Sequence, residues 1–249
     1  MKATAWEFRY RFWIFLLIYI LGFTAPWDAA LHLDGTGPNT HVWARLAMLL
    51  YRDCGVRIGA AFNVVLIAGI LCAGLGAWLR TWGSAYLSVD VMRDGEMRSD
   101  SVVADGPYRY LRNPLYLGVW VHTLALALLM PLSGAIFTMA LIVVHELRLI
   151  FGEEAFLRGR LGEAYLAYCA KVPRLLPALG PRVRTTGARA RWAQAALAEI
   201  FMWGVTASFA VLGWQYDAHL LLRAVLVWFG VSLVVRALGP QSHTESAQA

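Results

Sequence analysis

Between Asn113 and His145 the chain runs for 33 residues without a charged side chain. As one helix this run would extend about 50 Å at ~1.5 Å per residue, against a bilayer core of about 30 Å. It is too long for one span and too uniformly apolar for the half-buried helix of a soluble domain. "MPLSG" at 130–134 interrupts it with a proline and a glycine. The stretch therefore reads as a tight hairpin of two helices, 115–130 and 133–150. Composition agrees: of 249 residues 59% are hydrophobic and 15% charged, where soluble domains have about a quarter charged. The fold class expected is all-α, a polytopic membrane helix bundle.

Four further apolar runs extend this reading. Phe12 to Trp27 follows Lys2, Arg9 and Arg11 as the middle of a signal peptide would, but its aromatics and the lack of a small-residue cleavage site favour a retained span. Ile58 to Leu79 is 22 residues without charge. Trp192 to Tyr216 contains Glu199, and Ala218 to Leu238 contains Arg223, which must snorkel. The total expected is about six spans, with both termini on one side. Of the 22 lysines and arginines, 18 then lie on the side of the termini and 4 opposite. That asymmetry predicts a multi-pass protein with cytoplasmic termini and makes the net charge of +6 a topology signal. No zinc-finger spacing or basic helix interleaved with exposed aromatics is present, so nucleic acid is not an expected partner. Cys54, Cys72 and Cys169 are far apart in the sequence and form neither a disulfide framework nor a metal site.

The polar chemistry gathers in two stretches. "GPYRYLRNPLYLG", 106–118, puts two prolines, three tyrosines and two arginines at the mouth of the hairpin. Each proline biases the residue before it away from α geometry, so the stretch is a rigid turn and not a plain helix start. "EEAFLRGRLGEAYLAYCAKVPRLLP", 153–177, follows the hairpin. There Phe156, Leu157, Leu161, Tyr165 and Tyr168 recur at helical spacing, an amphipathic helix ended near Val172 and Pro173. Glu153 and Glu154 stand where the chain leaves the membrane; paired carboxylates there either compensate a helix dipole or form part of a site. The hairpin returns them to the face that holds 106–116, and such convergence is what a site requires.

This ordered pair of motifs, separated by a hairpin, resembles the isoprenylcysteine carboxyl methyltransferase and phospholipid methyltransferase superfamily, integral membrane enzymes that use S-adenosylmethionine. The resemblance covers residues 78–177, leaving 1–77 as N-terminal spans with an outward loop and 178–249 as a basic linker with a C-terminal pair of spans. It implies a cytoplasmic cofactor site made by the hairpin and the amphipathic helix. Cofactor contacts are implied for Asp100, Ser101, Val102, Val103, Tyr108, Asn113, Pro114, Leu115 and Tyr116, with Glu153 as hydrogen-bond acceptor. Arg112 and the backbone around Gly106 supply chemistry suited to the cofactor carboxylate. The residues expected to act on the acceptor are Arg148, Glu153 and Glu154. Two departures matter. Asn113 stands where many members have histidine, and Leu149 stands where carboxyl methyltransferases have a substrate-facing arginine, with Arg148 beside it.

The acceptor expected is lipid-like or prenylated. A carboxylate oriented by Arg148 is favoured over a phospholipid amine, since a carboxylate requires no base and Asn113 cannot titrate. The alternatives are a phospholipid N-methyltransferase, a sterol-reductase-like enzyme using NADPH, and a non-catalytic membrane protein. Outside the motifs, His32 and His41 lack the spacing of a metal pair, and "GPRVRTTGARAR", 180–191, reads as a flexible basic linker on acidic lipid head groups. Glu199, an ionisable group within a span, is a functional candidate by default, although it lies a turn or two from the cytoplasmic end and could reach the head groups.

Overall fold

The computed structural model describes residues 2–24, 41–87 and 104–238. Among them the chain is helical throughout, with one isolated backbone bridge between His41 and Pro131. In order the helices are α1 (Ala5–Arg9), α2 (Arg11–Thr24), α3 (Val42–Asp53), α4 (Ile58–Tyr86), α5 (Pro114–Ala127), α6 (Leu132–Lys171), α7 (Trp192–Ala198), α8 (Ile200–Leu212) and α9 (Ala218–Leu238). Single 3-10 turns at Gly106–Arg109 and Gly213–Gln215 complete the set.

The hairpin forms as the run predicts. Pro114 opens α5 at the first helical turn, where its missing N–H costs nothing. Pro131 is the N-cap of α6. The second arm differs from expectation. The arm 133–150 and the amphipathic helix are one helix of 40 residues, interrupted only at Gly162, whose φ is +53°. Nothing between Ile150 and Phe156 stops a helix, since Gly152 is tolerated and the two glutamates favour helix.

Among the described residues, three or four of the six expected spans have the length and apolarity to cross on their own. By length and apolarity α4, α6 and α9 can each cross a membrane, and α7 with α8 adds a fourth across a 72° bend. α2 and α5 have 14 residues each, about 21 Å at ~1.5 Å per residue, short of the hydrocarbon core. Both are apolar; α5 packs between α4 and α6, whereas α2 lies on α6 with Trp13, Leu17 and Ile20 exposed on its outer face.

The packing positions the site. α4 and α5 touch backbone to backbone through two glycines. A Cβ on Gly76 would stand 2.7 Å from the carbonyl oxygen of Gly118, and one on Gly118 would stand 2.6 Å from Cγ of Arg80. Small residues at a helix contact are how membrane helices gain dispersion energy without a hydrophobic drive. At one end of the bundle Val42 and Trp43 N–H groups donate to the carbonyls of Met130 and Leu128. At the other end the Ala3 N–H donates to Arg148, Arg112 to Pro173, Arg182 to Arg109 and Arg191 to Ala85. The N-terminus, 106–113, 148–158 and 172–191 thus gather at one end.

Candidate active site

Gly106 begins the site. Its φ is +56°, and a Cβ there would overlap the ring of Tyr86 at the end of α4. Only glycine makes this turn. The turn buries Tyr108, whose carbonyl accepts the hydroxyl of Tyr168 on α6 at 2.8 Å. Asp105, buried just before it, is bound by the segment after α6. The hydroxyls of Thr185 and Thr186 donate to its carboxylate, as do the N–H groups of Thr186 at 2.9 Å and Ala188 at 3.1 Å. Burial opposes the charge, but these donors outweigh it and hold the Asp105 pKa at about 2. Arg109 Nε also donates to the Val183 carbonyl at 3.0 Å. The stretch read as a flexible linker is therefore docked onto the motif. Threonines beside a basic run gave no hint of an acid that would collect them.

Glu153 and Glu154, adjacent in sequence, have different surroundings. Glu153 accepts a 2.8 Å hydrogen bond from the hydroxyl of Tyr116 on α5. That bond uses Oε1 and leaves Oε2 without a partner among the described residues. Arg11 of α2 lies within electrostatic reach of the pair. Glu154 is buried and fully engaged: Arg174 grips both of its oxygens at 3.0 and 2.8 Å, Arg112 approaches at 3.0 Å and Arg158 at 3.7 Å. The Arg174 guanidinium also lies over the Phe151 ring at 4.9 Å. Beside this cluster a cavity of about 460 Å³ is lined by Lys2, Phe151, Glu154, Ala155, Arg158 and Arg174. Three cations against one carboxylate suit an anionic group.

The other expected residues divide the same way. Pro114, Leu115 and Tyr116 form the first turn of α5 against Glu153. Arg112 spends its Nη1 on Glu154 and Cys169, and Asn113 donates to the Arg174 carbonyl at 3.1 Å. Asn113 and Arg112 thus fasten the 172–177 segment to the motif. Asp100, Ser101, Val102 and Val103 lie outside the described residues. Arg148 is elsewhere. Its Nε and Nη2 clasp Glu7 of α1 at 2.8 and 2.9 Å, and Nη2 also reaches the Lys2 carbonyl. This clasp, with the Thr4 N–H, holds the Glu7 carboxyl down at about 2. Leu149, in the neighbouring position, is fully buried.

Deeper in the bundle Glu199, at the break between α7 and α8, is 4% exposed and does not reach head groups. Arg80 of α4 grips its two oxygens at 2.7 and 2.9 Å, and the Ser84 hydroxyl donates at 2.9 Å. A lone carboxylate in an apolar run marks a partner as necessary but does not say which arginine supplies it.

Residues 64–164 match the model of the phospholipid methyltransferase family. Over that stretch, about two-fifths of its length, the chain is similar to a phospholipid methyltransferase domain. The matched residues comprise α4 from Val64 onward, the 106–109 turn, α5 and most of α6, including Tyr116, Glu153 and Glu154. Comparison with curated proteins and with solved structures gives no match. The match supports a membrane methyltransferase, and the matched stretch includes the polar Tyr116–Glu153–Glu154 region. Its residues fit a sulfonium cofactor with an amino-acid tail. Glu153 offers an open carboxylate oxygen for an ammonium or ribose hydroxyl, and Lys2, Arg158 and Arg174 offer cations for a carboxylate.

Proposed function

We propose that the chain is an S-adenosylmethionine-dependent methyltransferase of the membrane, acting on the amine of a lipid-like acceptor such as an aminophospholipid. The observation that carries the choice of acceptor is Arg148. The cation that would orient a carboxylate is clasped by Glu7 on the N-terminal side of α6. The face between α5 and α6 instead presents Glu146 and Glu153. An acidic face suits an amine and repels a carboxylate. The match to the phospholipid methyltransferase family supports the same choice.

S-adenosylmethionine would supply a methyl carbon on a cationic sulfur, which keeps the bonding electron pair when the acceptor nitrogen takes the methyl. The chain has to hold the two reactants in line and exclude water, because positioning is the largest contribution once the acceptor nitrogen has lost its proton. Tyr116 fixes Glu153 for the cofactor, and Asn113 and Arg112 close the 172–177 segment over the motif. The excess of lysine and arginine on this end supports a cytoplasmic site, with the arginines of 182–191 against acidic head groups.

The test is transfer of labelled methyl from S-adenosylmethionine to amphiphiles, followed by mild base. The amine reading expects base-stable label in phosphatidylethanolamine. Label released as volatile methanol, from a methyl ester, would return the assignment to a carboxylate acceptor.

A further inference from the structure

Below the Tyr116–Glu153 bond lies a second acidic group that the reading above leaves without a task. Glu146 is fully buried, and neither of its carboxylate oxygens has a hydrogen-bond partner. The indole N–H of Trp120 is the neighbouring donor; it lies close to the Glu146 carboxylate but outside hydrogen-bond geometry, so it too is left without a partner. Orphaned polar atoms at such depth are rare in a folded chain and point to a missing partner.

Their register says where that partner sits. Glu146 and Glu153 are seven residues apart on α6, two turns on one face, so Glu146 lies about 10 Å deeper. Tyr116, Trp120 and Thr123 follow one another at four and three residues on one face of α5, which runs antiparallel to α6. The two helices meet as a ladder: Tyr116 with Glu153 at the mouth, then Trp120 with Glu146, then Thr123 tied to Tyr19 of α2 at 2.6 Å. The charged or titratable groups that act on Glu146 are Arg80 of α4 and Glu153, and Arg80 is already held by Glu199. Tyr19 and Tyr116 feel its charge from α2 and α5.

We infer that Glu146 holds the ammonium head of the acceptor and receives its proton, with Trp120 as the neighbouring wall; this rests on the amine-methyltransferase reading. Ammonium and carboxylate become amine and carboxylic acid, one proton passing from nitrogen to a Glu146 oxygen and the nitrogen regaining its lone pair. The indole face beside it suits a cation, and suits a methylated one at least as well. Glu146 thus selects amines over alcohols and carboxylates at a depth that a lipid reaches from the bilayer and a soluble amine does not.

The experiment uses the full chain in phosphatidylcholine nanodiscs, wild type and Glu146→Gln, with S-adenosylhomocysteine as cofactor product. Binding of lysophosphatidylethanolamine is compared with that of its N-acetyl derivative, which keeps the size and loses the cation. Wild type should prefer the free amine at least tenfold. Glu146→Gln should lose that preference, keep S-adenosylhomocysteine binding within threefold and lose at least a hundredfold in methyl transfer. A Glu146→Gln protein that keeps amine preference and turnover would overturn the assignment of Glu146 while leaving the methyltransferase reading intact. Wild type without methyl transfer to any amine, yet with amine preference lost in Glu146→Gln, would sink the activity and keep the site. Should the variant fail to fold, the wild-type comparison decides, because equal binding of the amine and its N-acetyl derivative refutes the inference.

Discussion

Glu199→Ala removes the carboxylate that two nitrogens of Arg80 and the hydroxyl of Ser84 share, and leaves the guanidinium in a bundle interior. Breaking a buried ion pair from one side costs about 3–5 kcal/mol, most of it the stranded charge. Two features of this site place the value at the low end. The Arg80 side chain is 22% exposed, so it can turn toward the interface once released. Polar contacts between membrane helices are also worth only about 0.6 kcal/mol on average, since the reference state finds other partners. About 3 kcal/mol is the expected loss. The assay is reversible unfolding in mixed micelles for wild type, Glu199→Ala, Arg80→Met and the double variant. The double variant should recover most of the loss, giving a coupling of about 2–3 kcal/mol across the cycle. Additive single variants, within about 0.5 kcal/mol, would refute the claim that this pair joins α4 to the α7–α8 break.

Asp105→Asn turns one acceptor oxygen into a donor facing the Thr186 hydroxyl and the Ala188 N–H, or else their counterparts, and should cost about 2–4 kcal/mol of docking of 182–191. Trypsin cleavage at Arg184 and Arg189 reads it; because the folded pKa is depressed to about 2, the same release should occur in wild type as pH falls below about 4 toward 2 and be absent above. Arg148→Ala should leave methyl transfer within threefold while freeing the N-terminus, and in wild type the Glu7 clasp is present above about 4.5 and lost as pH falls toward 2, both visible in Trp6 fluorescence. Glu153→Gln should weaken S-adenosylmethionine binding by about 1.5–3 kcal/mol, measured by calorimetry, with unfolding unchanged. One alanine inserted after Leu149 should abolish methyl transfer because it turns Glu146 by about 100° relative to Glu153, whereas one inserted after Gly162 should retain at least a third of the activity.

The hairpin was legible because a proline–glycine break inside an overlong apolar run has only one geometric solution in a membrane. The convergence of 106–116 with 153–154 followed from it. What the residues did not reveal was assignment among arginines. Arg112, Arg148, Arg158 and Arg174 all lie near the mouth in sequence terms, and each could serve a carboxylate. Only the packing shows that Arg174 grips Glu154 while Arg148 turns outward to Glu7. In sequence terms Glu146 is one of several candidate bases near the mouth; that no hydrogen bond satisfies it is visible only once the neighbouring side chains are placed. The continuity of α6 escaped for a different reason. A change from apolar to amphipathic patterning marks a change of solvent, and the helix crosses from lipid to water without a break in its backbone.

That continuity matters to how the site works. Had the chain bent at Gly152, the deep acid and the mouth acid would sit on separate helices, and their spacing would vary with the angle between them. On one unbroken helix the separation of Glu146 and Glu153 is fixed by backbone hydrogen bonds, and Tyr116 on α5 holds Glu153 a second time from across the hairpin. A methyl transfer needs donor and acceptor atoms in line at about 3–3.5 Å, and an error of about 1 Å costs roughly a hundredfold. The break that α6 does contain falls at Gly162, beyond both acids and beyond Arg158, which pairs with Glu154 from the helix itself. The one irregular residue of α6 thus lies outside the stretch on which the two reactants must meet.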